Sequence, residues 1–543
     1  MAKIQVSDLT FCYEGSFDNI FEKVSFSVDT DWKLGLIGRN GKGKTTLLRL
    51  LMGELAHEGR ISSSMCFDYF PYNVKEEQMN WNTVDVAADI YKGCELWKIC
   101  RELALLKADE DILWRPFGTL SHGERTKVML AILFSRDNYF LLIDEPTNHL
   151  DMSTREVLRD YLNRKRGFIL VSHDRWLLDS CIDHVLVLER SRIVVEKGNF
   201  SSWWDNKRKK DEFELGEDEK LRHEIIKLKD AARRSRMWAE KVEKSKIGFD
   251  PVKEHDRFKD TRCYLGEKSR RMQQRRKNLE QRQQKAIAGK EGLLKNLEQI
   301  SDLKVMTREH HKECCIRASD MSLSYGGRKV VEHFTMELKR GDRILLQGKN
   351  GCGKSSVIKA ILRAAGAGNT CGVPERVNGK DRCDAPECVN GKAVCDAPEY
   401  RKEAVSALDK LEIQGELNVA SGLEISYISQ DTSHLKGSLD AHIDRLGLDK
   451  SRFRAILRQL DFDRIQFEKN MENYSEGQKK KVLIAGSLLK PAHLYIWDEP
   501  LNYIDVFSRM QIEKLILDYG PTMLIVEHDR AFGDNCATTT IQL

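Results

Sequence analysis

Gly38-Arg39-Asn40-Gly41-Lys42-Gly43-Lys44-Thr45 follows the apolar run Leu34-Gly35-Leu36-Ile37, and Gly348-Lys349-Asn350-Gly351-Cys352-Gly353-Lys354-Ser355 repeats the pattern in the second half of the 543-residue chain. An apolar strand, a glycine-rich loop and the start of a helix make G-x-x-x-x-G-K-[ST] a phosphate cradle. Glycine lets successive backbone N–H groups close on phosphate oxygens. Lys44 and Lys354 are expected to reach the β/γ oxygens, and Thr45 and Ser355 to offer hydroxyls to Mg2+. Asn40, Thr46, Asn350 and Ser356 complete the two loops. A doubled cradle predicts an α/β chain with two nucleotide-binding halves, ATP and Mg2+ being the cofactors.

Working outward, each cradle has the same companions in the same order. The first half has Leu120-Ser121-His122-Gly123-Glu124, then the buried-strand pattern Phe140-Leu-Leu-Ile143 ending in Asp144-Glu145, then Asn148-His149-Leu150-Asp151 and Val171-Ser172-His173-Asp174. The second has Tyr474-Ser475-Glu476-Gly477-Gln478, Leu494-Tyr-Ile-Trp-Asp498-Glu499-Pro500, Asn502-Tyr-Ile-Asp505 and Val526-Glu-His528-Asp529. Asp144 and Asp498 are placed to hold Mg2+, and Glu145 and Glu499 to orient or deprotonate the attacking water. Tyr13 and Tyr325, ahead of the two cradles, are candidates for stacking on adenine.

This order resembles the ATP-binding cassette (ABC) ATPases. The resemblance implies that the Ser-x-Gly segment of one cassette caps the γ-phosphate held by the other, and that a histidine senses that phosphate. Ser121, Gly123 and His173 take those roles in the first half, Ser475, Gly477 and His528 in the second. Head-to-tail pairing within one chain would join Lys44 and Glu145 to Ser475 and Gly477 at site one, and Lys354 and Glu499 to Ser121 and Gly123 at site two. The sites are not equivalent. Gln430 ends Ile425-Ser-Tyr-Ile-Ser-Gln430, where these ATPases keep a glutamine near Mg2+ and water, whereas the first half has Tyr72, which lacks an amide's paired donor and acceptor. His122 and Glu476 replace a usual small residue, and Tyr474 a leucine. Both sites are expected to bind ATP, with slower hydrolysis at site one.

Between the halves lies a charged connector. Asp205 to Ile300 holds 28 Lys and Arg against 19 Asp and Glu, while the whole chain has 89 against 84. Within Arg262–Lys290, 10 basic residues face only Glu267 and Glu280. Met272, Leu279, Ala286 and Leu293 recur every seventh residue, and Leu221, Ile225, Leu228 and Ala232 step by four, three and four, giving two narrow apolar seams. They predict a long antiparallel helical hairpin turning at Lys244–Asp260, around Gly248 and Pro251. An arm of roughly 38 residues at 1.5 Å each reaches on the order of 55 Å. Such a basic probe suits RNA phosphate. At its tip Lys244, Lys246, Phe249 and Phe258 are the candidate RNA contacts, cations for phosphate and rings for stacking.

Composition excludes several classes. No apolar run approaches the ~18 residues of a membrane span, and the start does not read as a secretory signal. The 14 cysteines include no C-x-x-C pair, a pattern of reduced cytosolic thiols rather than a disulfide framework or zinc site. A tandem 12-residue repeat, Val377–Cys388 and Val389–Tyr400, lies within 371–400, is rich in turn formers and reads as a surface loop. Its Cys383 and Cys395 are poorly spaced for a metal.

Tandem cassettes, the long connector and the absence of a membrane segment resemble the ABC-F family of ribosome-acting ATPases. Asn473-Tyr-Ser-Glu-Gly-Gln-Lys-Lys-Lys-Val482 and Trp497-Asp-Glu-Pro-Leu-Asn-Tyr-Ile-Asp505 are most similar to its Lsa/Vga-type antibiotic-resistance branch. The resemblance implies a cytoplasmic, ribosome-associated monomer whose cassettes pair intramolecularly without a membrane subunit. Its connector would enter the E site of the 70S ribosome, contact 23S rRNA and P-site tRNA, and displace lincosamides, streptogramin A or pleuromutilins. A housekeeping ABC-F translation factor is the alternative, and a transport or DNA-maintenance ATPase a third. The expected division is cassette one over 1–204, linker over 205–312 and cassette two over 313–543.

Overall fold

The computed structural model describes residues 3–13, 19–93, 95–148, 150–188, 193–213, 305–366, 411–462 and 464–543, with scattered helical positions between 216 and 281. Both connector seams, the expected tip with Lys244, Lys246, Phe249 and Phe258, the 12-residue repeat with Cys383 and Cys395, and His149 lie outside the described residues. The chain divides into two compact units, Met1–Ser201 with Ser301–Leu543, and Ser202–Ile300. In the second, residues 202–213 are helical.

Cassette one runs β1 (Lys3–Phe11), β2 (Phe21–Asp29), β3 (Lys33–Ile37), α1 (Lys44–Leu51), β4 (Glu58–Ser62), β5 (Cys66–Phe70), α2 (Thr83–Ile90), α3 (Leu96–Leu105), α4 (His122–Phe134), β6 (Tyr139–Asp144), α5 (Met152–Asn163), β7 (Phe168–Val171), α6 (Arg175–Cys181), β8 (His184–Leu188) and β9 (Ile193–Lys197). Strands β5, β6, β7, β3, β8 and β9 form one sheet in that order, parallel until the antiparallel β8–β9 pair. A smaller antiparallel sheet, β2-β1-β4, completes it. Continuous apolar runs such as Phe140-Leu-Leu-Ile143 and Phe168-Ile-Leu-Val171 form the central strands because a parallel sheet is covered on both faces. All eight side chains are buried.

Cassette two repeats the plan. β10 (Cys314–Tyr325) pairs antiparallel with both β11 (Arg328–Lys339) and β13 (Leu411–Val419), while β12 (Arg343–Gln347), β14 (Ile425–Ile428), β15 (Leu494–Asp498), β16 (Met523–Val526) and β17 (Thr539–Gln542) form a parallel sheet in the order β14-β15-β16-β12-β17. In both halves the phosphate loop leaves a central strand, and the acidic pair ends the strand two places away in the sheet. Ligand chemistry therefore gathers at the carboxyl ends of the strands, as in open α/β sheets generally.

Capping fixes where the helices begin. Ser121 accepts a hydrogen bond from Glu124 N while the Glu124 carboxylate accepts from Ser121 N, a full capping box, and Ser475 with Gln478 makes the same arrangement. Asp151, Asp174, Asp505 and Asp529 likewise cap the helices that follow them.

Candidate functional site

Each phosphate loop alternates left-handed glycines with ordinary backbone. Gly41 and Gly43 have φ of 81° and 90°, Gly351 and Gly353 of 81° and 104°. A side chain at Gly43 or Gly353 would also strike Ile20 or Val331, 2.6 and 2.4 Å from where its Cβ would stand. Only glycine satisfies both demands. Lys44 Nζ donates to Gly38 O at 2.7 Å and Asn40 Oδ1 at 3.1 Å, and Lys354 Nζ to the carbonyls of Gly348 and Lys349 at 2.9 and 3.0 Å. Gly38 and Gly348 thus give each loop lysine a carbonyl to rest on. Beside the loops, Tyr13 OH lies 2.9 Å from Thr46 Oγ1, and Tyr325 OH donates to Ser356 Oγ at 3.3 Å.

The carboxylates lie across from the loops. Thr45 Oγ1 donates to Asp144 Oδ2 at 2.8 Å and Ser355 Oγ to Asp498 Oδ2 at 3.0 Å. A hydroxyl and a carboxylate make a hard-oxygen donor pair suited to Mg2+. Burial raises the Asp144 pKa and pushes Asp498 up to about 6. Asp498 Oδ1 is buried without a hydrogen-bond partner among the described residues. A divalent cation would satisfy that oxygen and restore the charged carboxylate, so the residues fit the ion.

Glu145 and Glu499 stand in the left-handed region, at φ 50° and 48°, which costs roughly 1–3 kcal/mol for a residue with a Cβ. The sheet imposes this turn: Glu145 N donates to Val171 O at 2.9 Å and Glu499 N to Val526 O at 3.0 Å, extending the ladder past the strand ends. The side chains then face the histidines, with His173 Nε2 at 3.3 Å from Glu145 Oε1 and His528 Nε2 at 3.7 Å from Glu499 Oε1. Burial, reinforced by Asp144, pushes Glu145 up to about 8. Burial holds His173 well below its ordinary pKa and His528 down to about 4. Both histidines are therefore neutral at physiological pH, and both ring nitrogens of His528 are buried without a hydrogen-bond partner among the described residues.

The two halves meet face to face. Asn40 Nδ2 of the first phosphate loop donates to Tyr503 O at 3.0 Å, and Asn40 lies 3.6 Å from where a Cβ of Gly477 would stand. Burial depresses the Lys44 pKa while Asp505 of the other half opposes it. Asn40 of the first phosphate loop thus faces Gly477 in the helix Glu476–Leu489 that Ser475 caps, and Lys44 feels the charge of Lys481 in the same helix. On the other side Arg155 Nη1 donates to His528 O at 3.0 Å and to Asp174 Oδ2 at 3.1 Å, joining the segments after both histidines. Ser121 heads α4, and Gly123 is roomy there, with nothing nearer than 3.8 Å to a hypothetical Cβ.

Register explains the unequal sites. β5 ends with Phe70 opposite Ile143, and β14 with Ile428 opposite Trp497, so Tyr72 and Gln430 hold equivalent positions two residues on. Gln430 Nε2 donates to Glu499 Oε2 at 2.8 Å. Tyr72 OH turns away and donates to Asp68 Oδ2 at 2.7 Å. Arg136 ion-pairs with Asp68 at 2.9 Å and lies over the rings of Tyr72, Tyr91 and Tyr139. The contact to the site-one aspartate comes instead from Tyr69, whose OH donates to Asp144 Oδ2 at 3.1 Å. The sequence motifs gave no role to Tyr69, to Asn502, which donates to Glu499 Oε2 at 2.8 Å, or to Arg155. Strand alternation could have found Tyr69, since it lies two residues before Pro71 on a half-buried strand. Arg155 joins residues distant in sequence and leaves no local signal.

The ABC transporter family model matches residues 21–148 and 331–502, more than half of the chain. The chain belongs to the ABC ATPase family. Its cassettes are ATP-binding, ATP-hydrolysing domains, and they stand in tandem on one polypeptide. Among curated relatives, the chain is similar to the ribosome protection protein VmlR of Bacillus subtilis, at 26% identity over 96% of this chain and 83% of that protein. It is equally similar to the ATP-binding protein Uup of Buchnera aphidicola, at 26% identity over 96% and 78%. The ABC transporter F family member 2 of Arabidopsis thaliana is 23% identical over 99% and 76%. Among solved structures, an archaeal ribosome recycling factor, aABCE1, crystallised with the ribosomal stalk protein aP1, aligns with TM-score 0.56 and 19% identity over 98% of this chain and 87% of that one. At that identity the likeness is one of fold. Among the described residues of this ABC ATPase no helix is long and apolar enough to cross a membrane.

Proposed function

We propose that this ABC ATPase is a ribosome-protection factor of the ABC-F branch, in which ATP-driven closure of the paired cassettes moves the basic connector against RNA. The observation that carries the reading is similarity along 96% of the chain to a protein named for ribosome protection, together with cassettes that meet phosphate loop to signature helix. In this reading Lys44 and Lys354 hold the β/γ-phosphates, and Ser475 and Gly477, or Ser121 and Gly123, cap the γ-phosphate from the opposite cassette. Thr45 with Asp144, and Ser355 with Asp498 and Gln430, hold Mg2+, which neutralises phosphate charge. Glu145 and Glu499 position water, and His173 and His528, neutral in their buried settings, meet the γ-phosphate. ATP bridges both cassettes and so favours the closed state over the open one. The partners are the 70S ribosome at its E site, 23S rRNA and P-site tRNA, with Lys244, Lys246, Phe249 and Phe258 at the contact. The displaced drugs are lincosamides, streptogramin A and pleuromutilins.

Equal similarity to an ATP-binding protein whose name carries no drug role favours one alternative, a housekeeping translation factor. Two experiments separate the readings. The Glu145→Gln/Glu499→Gln protein with ATP is expected to co-sediment with 70S ribosomes, and its failure to do so removes both. Cells expressing the wild type are expected to tolerate the three drug classes, with tolerance lost in Lys44→Ala/Lys354→Ala. Ribosome binding with unchanged susceptibility selects the housekeeping factor.

A further inference from the structure

The two seams between the cassettes are built from different charges. At site one Arg39, inside the phosphate loop, ion-pairs with Asp461 of cassette two at 3.2 Å, with both side chains only about a fifth exposed, at 22% and 18%. The same guanidinium lies over the ring of Phe507, 6.0 Å from its centroid. Deeper on that side Arg175 donates to Glu513, a buried pair that also receives Asn535 Nδ2.

The internal repeat supplies the control. Asp461 follows the helix Lys450–Gln459 at φ 61°, with Asp461 N bonded to Arg458 O and Phe462 N to Leu457 O. Lys107 follows α3 at φ 49°, with Lys107 N bonded to Ala104 O and Ala108 N to Leu103 O. The two are therefore equivalent positions. Arg39 corresponds to Lys349 in the second loop, and Phe507, two residues after the capping Asp505, corresponds to Ser153 after Asp151. The arginine, aspartate and phenyl ring of seam one become lysine, lysine and serine at seam two, with Lys349 and Lys107 exposed. Arg530 stands at the position of Arg175, but Arg159 stands at the position of Glu513, and Arg530 instead makes an exposed pair with Glu156 at 3.6 Å, with side chains 46% and 51% exposed.

Half-buried opposite charges with a ring beneath the cation hold a seam together. Two ammonium groups at equivalent positions oppose its closing, and an exposed ion pair adds little. We propose that Arg39, Asp461, Phe507, Arg175 and Glu513 form a latch that keeps seam one shut. Site one retains its nucleotide through successive cycles, and site two, carrying Lys349 against Lys107, is where ATP enters and ADP leaves. The proposal rests on the ATPase family and the observed seam, not on the ribosomal reading.

The test follows release of a fluorescent ATP analogue from the full-length protein on chasing with excess ATP and Mg2+. Two phases are expected, the slow one lost in Lys44→Ala and the fast one lost in Lys354→Ala. Asp461→Asn, a residue that tolerates the left-handed backbone, is expected to speed the slow phase by roughly three- to tenfold, the weight of a partly buried pair, and to spare the fast phase. Lys107→Asp creates an opposite charge for Lys349 and is expected to slow the fast phase. A single phase, assignment of the slow phase to site two, or a slow phase unmoved by Asp461→Asn each overturns the proposal. Should Asp461→Asn fold poorly, an unchanged fast phase in Lys107→Asp overturns it alone.

Discussion

Gly477 and Gly123 hold the same place in the two signature helices, yet an alanine should act very differently at each. A Cβ on Gly477 would stand 2.5 Å from the Tyr503 carbonyl oxygen, where contacts closer than about 3.0 Å do not survive. The carbonyl must retreat by about half an ångström, and it is the acceptor of the Asn40 hydrogen bond that crosses seam one. Losing that bond removes about 0.5–1.5 kcal/mol, and overpacking the loop adds about 1–3 kcal/mol. A combined cost of ~1.5–4.5 kcal/mol corresponds to roughly a 10- to 2,000-fold loss in ATP-driven pairing. At Gly123 the nearest atom is 3.8 Å away, so alanine there makes ordinary van der Waals contact without a clash and gains at most ~0.5–1 kcal/mol of helix propensity. Steady-state ATPase and ATP titrations read the first effect, thermal melting the second. Equal activities for Gly477→Ala and Gly123→Ala, both near wild type, would refute the steric argument.

Three further outcomes follow from the site. Glu499→Gln should remove the larger share of single-turnover hydrolysis, because only Glu499 receives a Gln430 amide, and equal losses for Glu145→Gln and Glu499→Gln count against unequal sites. Gln430→Ala should slow site two by about tenfold for the lost hydrogen bond to the carboxyl group, while Tyr72→Phe leaves site-one turnover alone and lowers the melting temperature by removing one hydrogen bond from buried Asp68, the Arg136 ion pair remaining. His528 is held down to about 4 by burial, so below pH 6.5 the unfolded chain binds a proton that the folded chain refuses. Stability from this residue is whole above pH 6.5 and falls on acidification towards 4, by about 2 kcal/mol at pH 5. Melting curves at pH 5 and 7 should therefore differ less in His528→Asn than in the wild type.

Much of this was legible because the motifs double as local structural signals. Ser-x-Gly-[Glu/Gln] is a capping box before it is a phosphate cap, and Asp151, Asp174, Asp505 and Asp529 announce helix starts. Apolar runs such as Leu494-Tyr-Ile-Trp497 mark buried parallel strands. What escaped depends on residues far apart in sequence. Arg39 reads as a spacer in its loop, and Asp461 as a helix end, until the fold brings them to 3.2 Å. Tyr72 could be recognised as a poor substitute for glutamine, but its turn towards Asp68 and Arg136 depends on α4 ending beside it. Basic surplus and periodicity are compositional signals, so they marked the connector without fixing its geometry.

The aromatic nest around Arg136 bears on how cassette one is tied together. Tyr72 belongs to the segment leaving β5, Tyr91 ends α2, and Arg136 follows α4 and also donates to Ile90 O at 2.9 Å. In cassette two the equivalent segment brings an amide to the reacting carboxylate. The first cassette ties this segment to the end of α4 through a cation among three rings, whereas the second ties it to the reacting carboxylate and, through Lys480 and Ser429, to its signature helix.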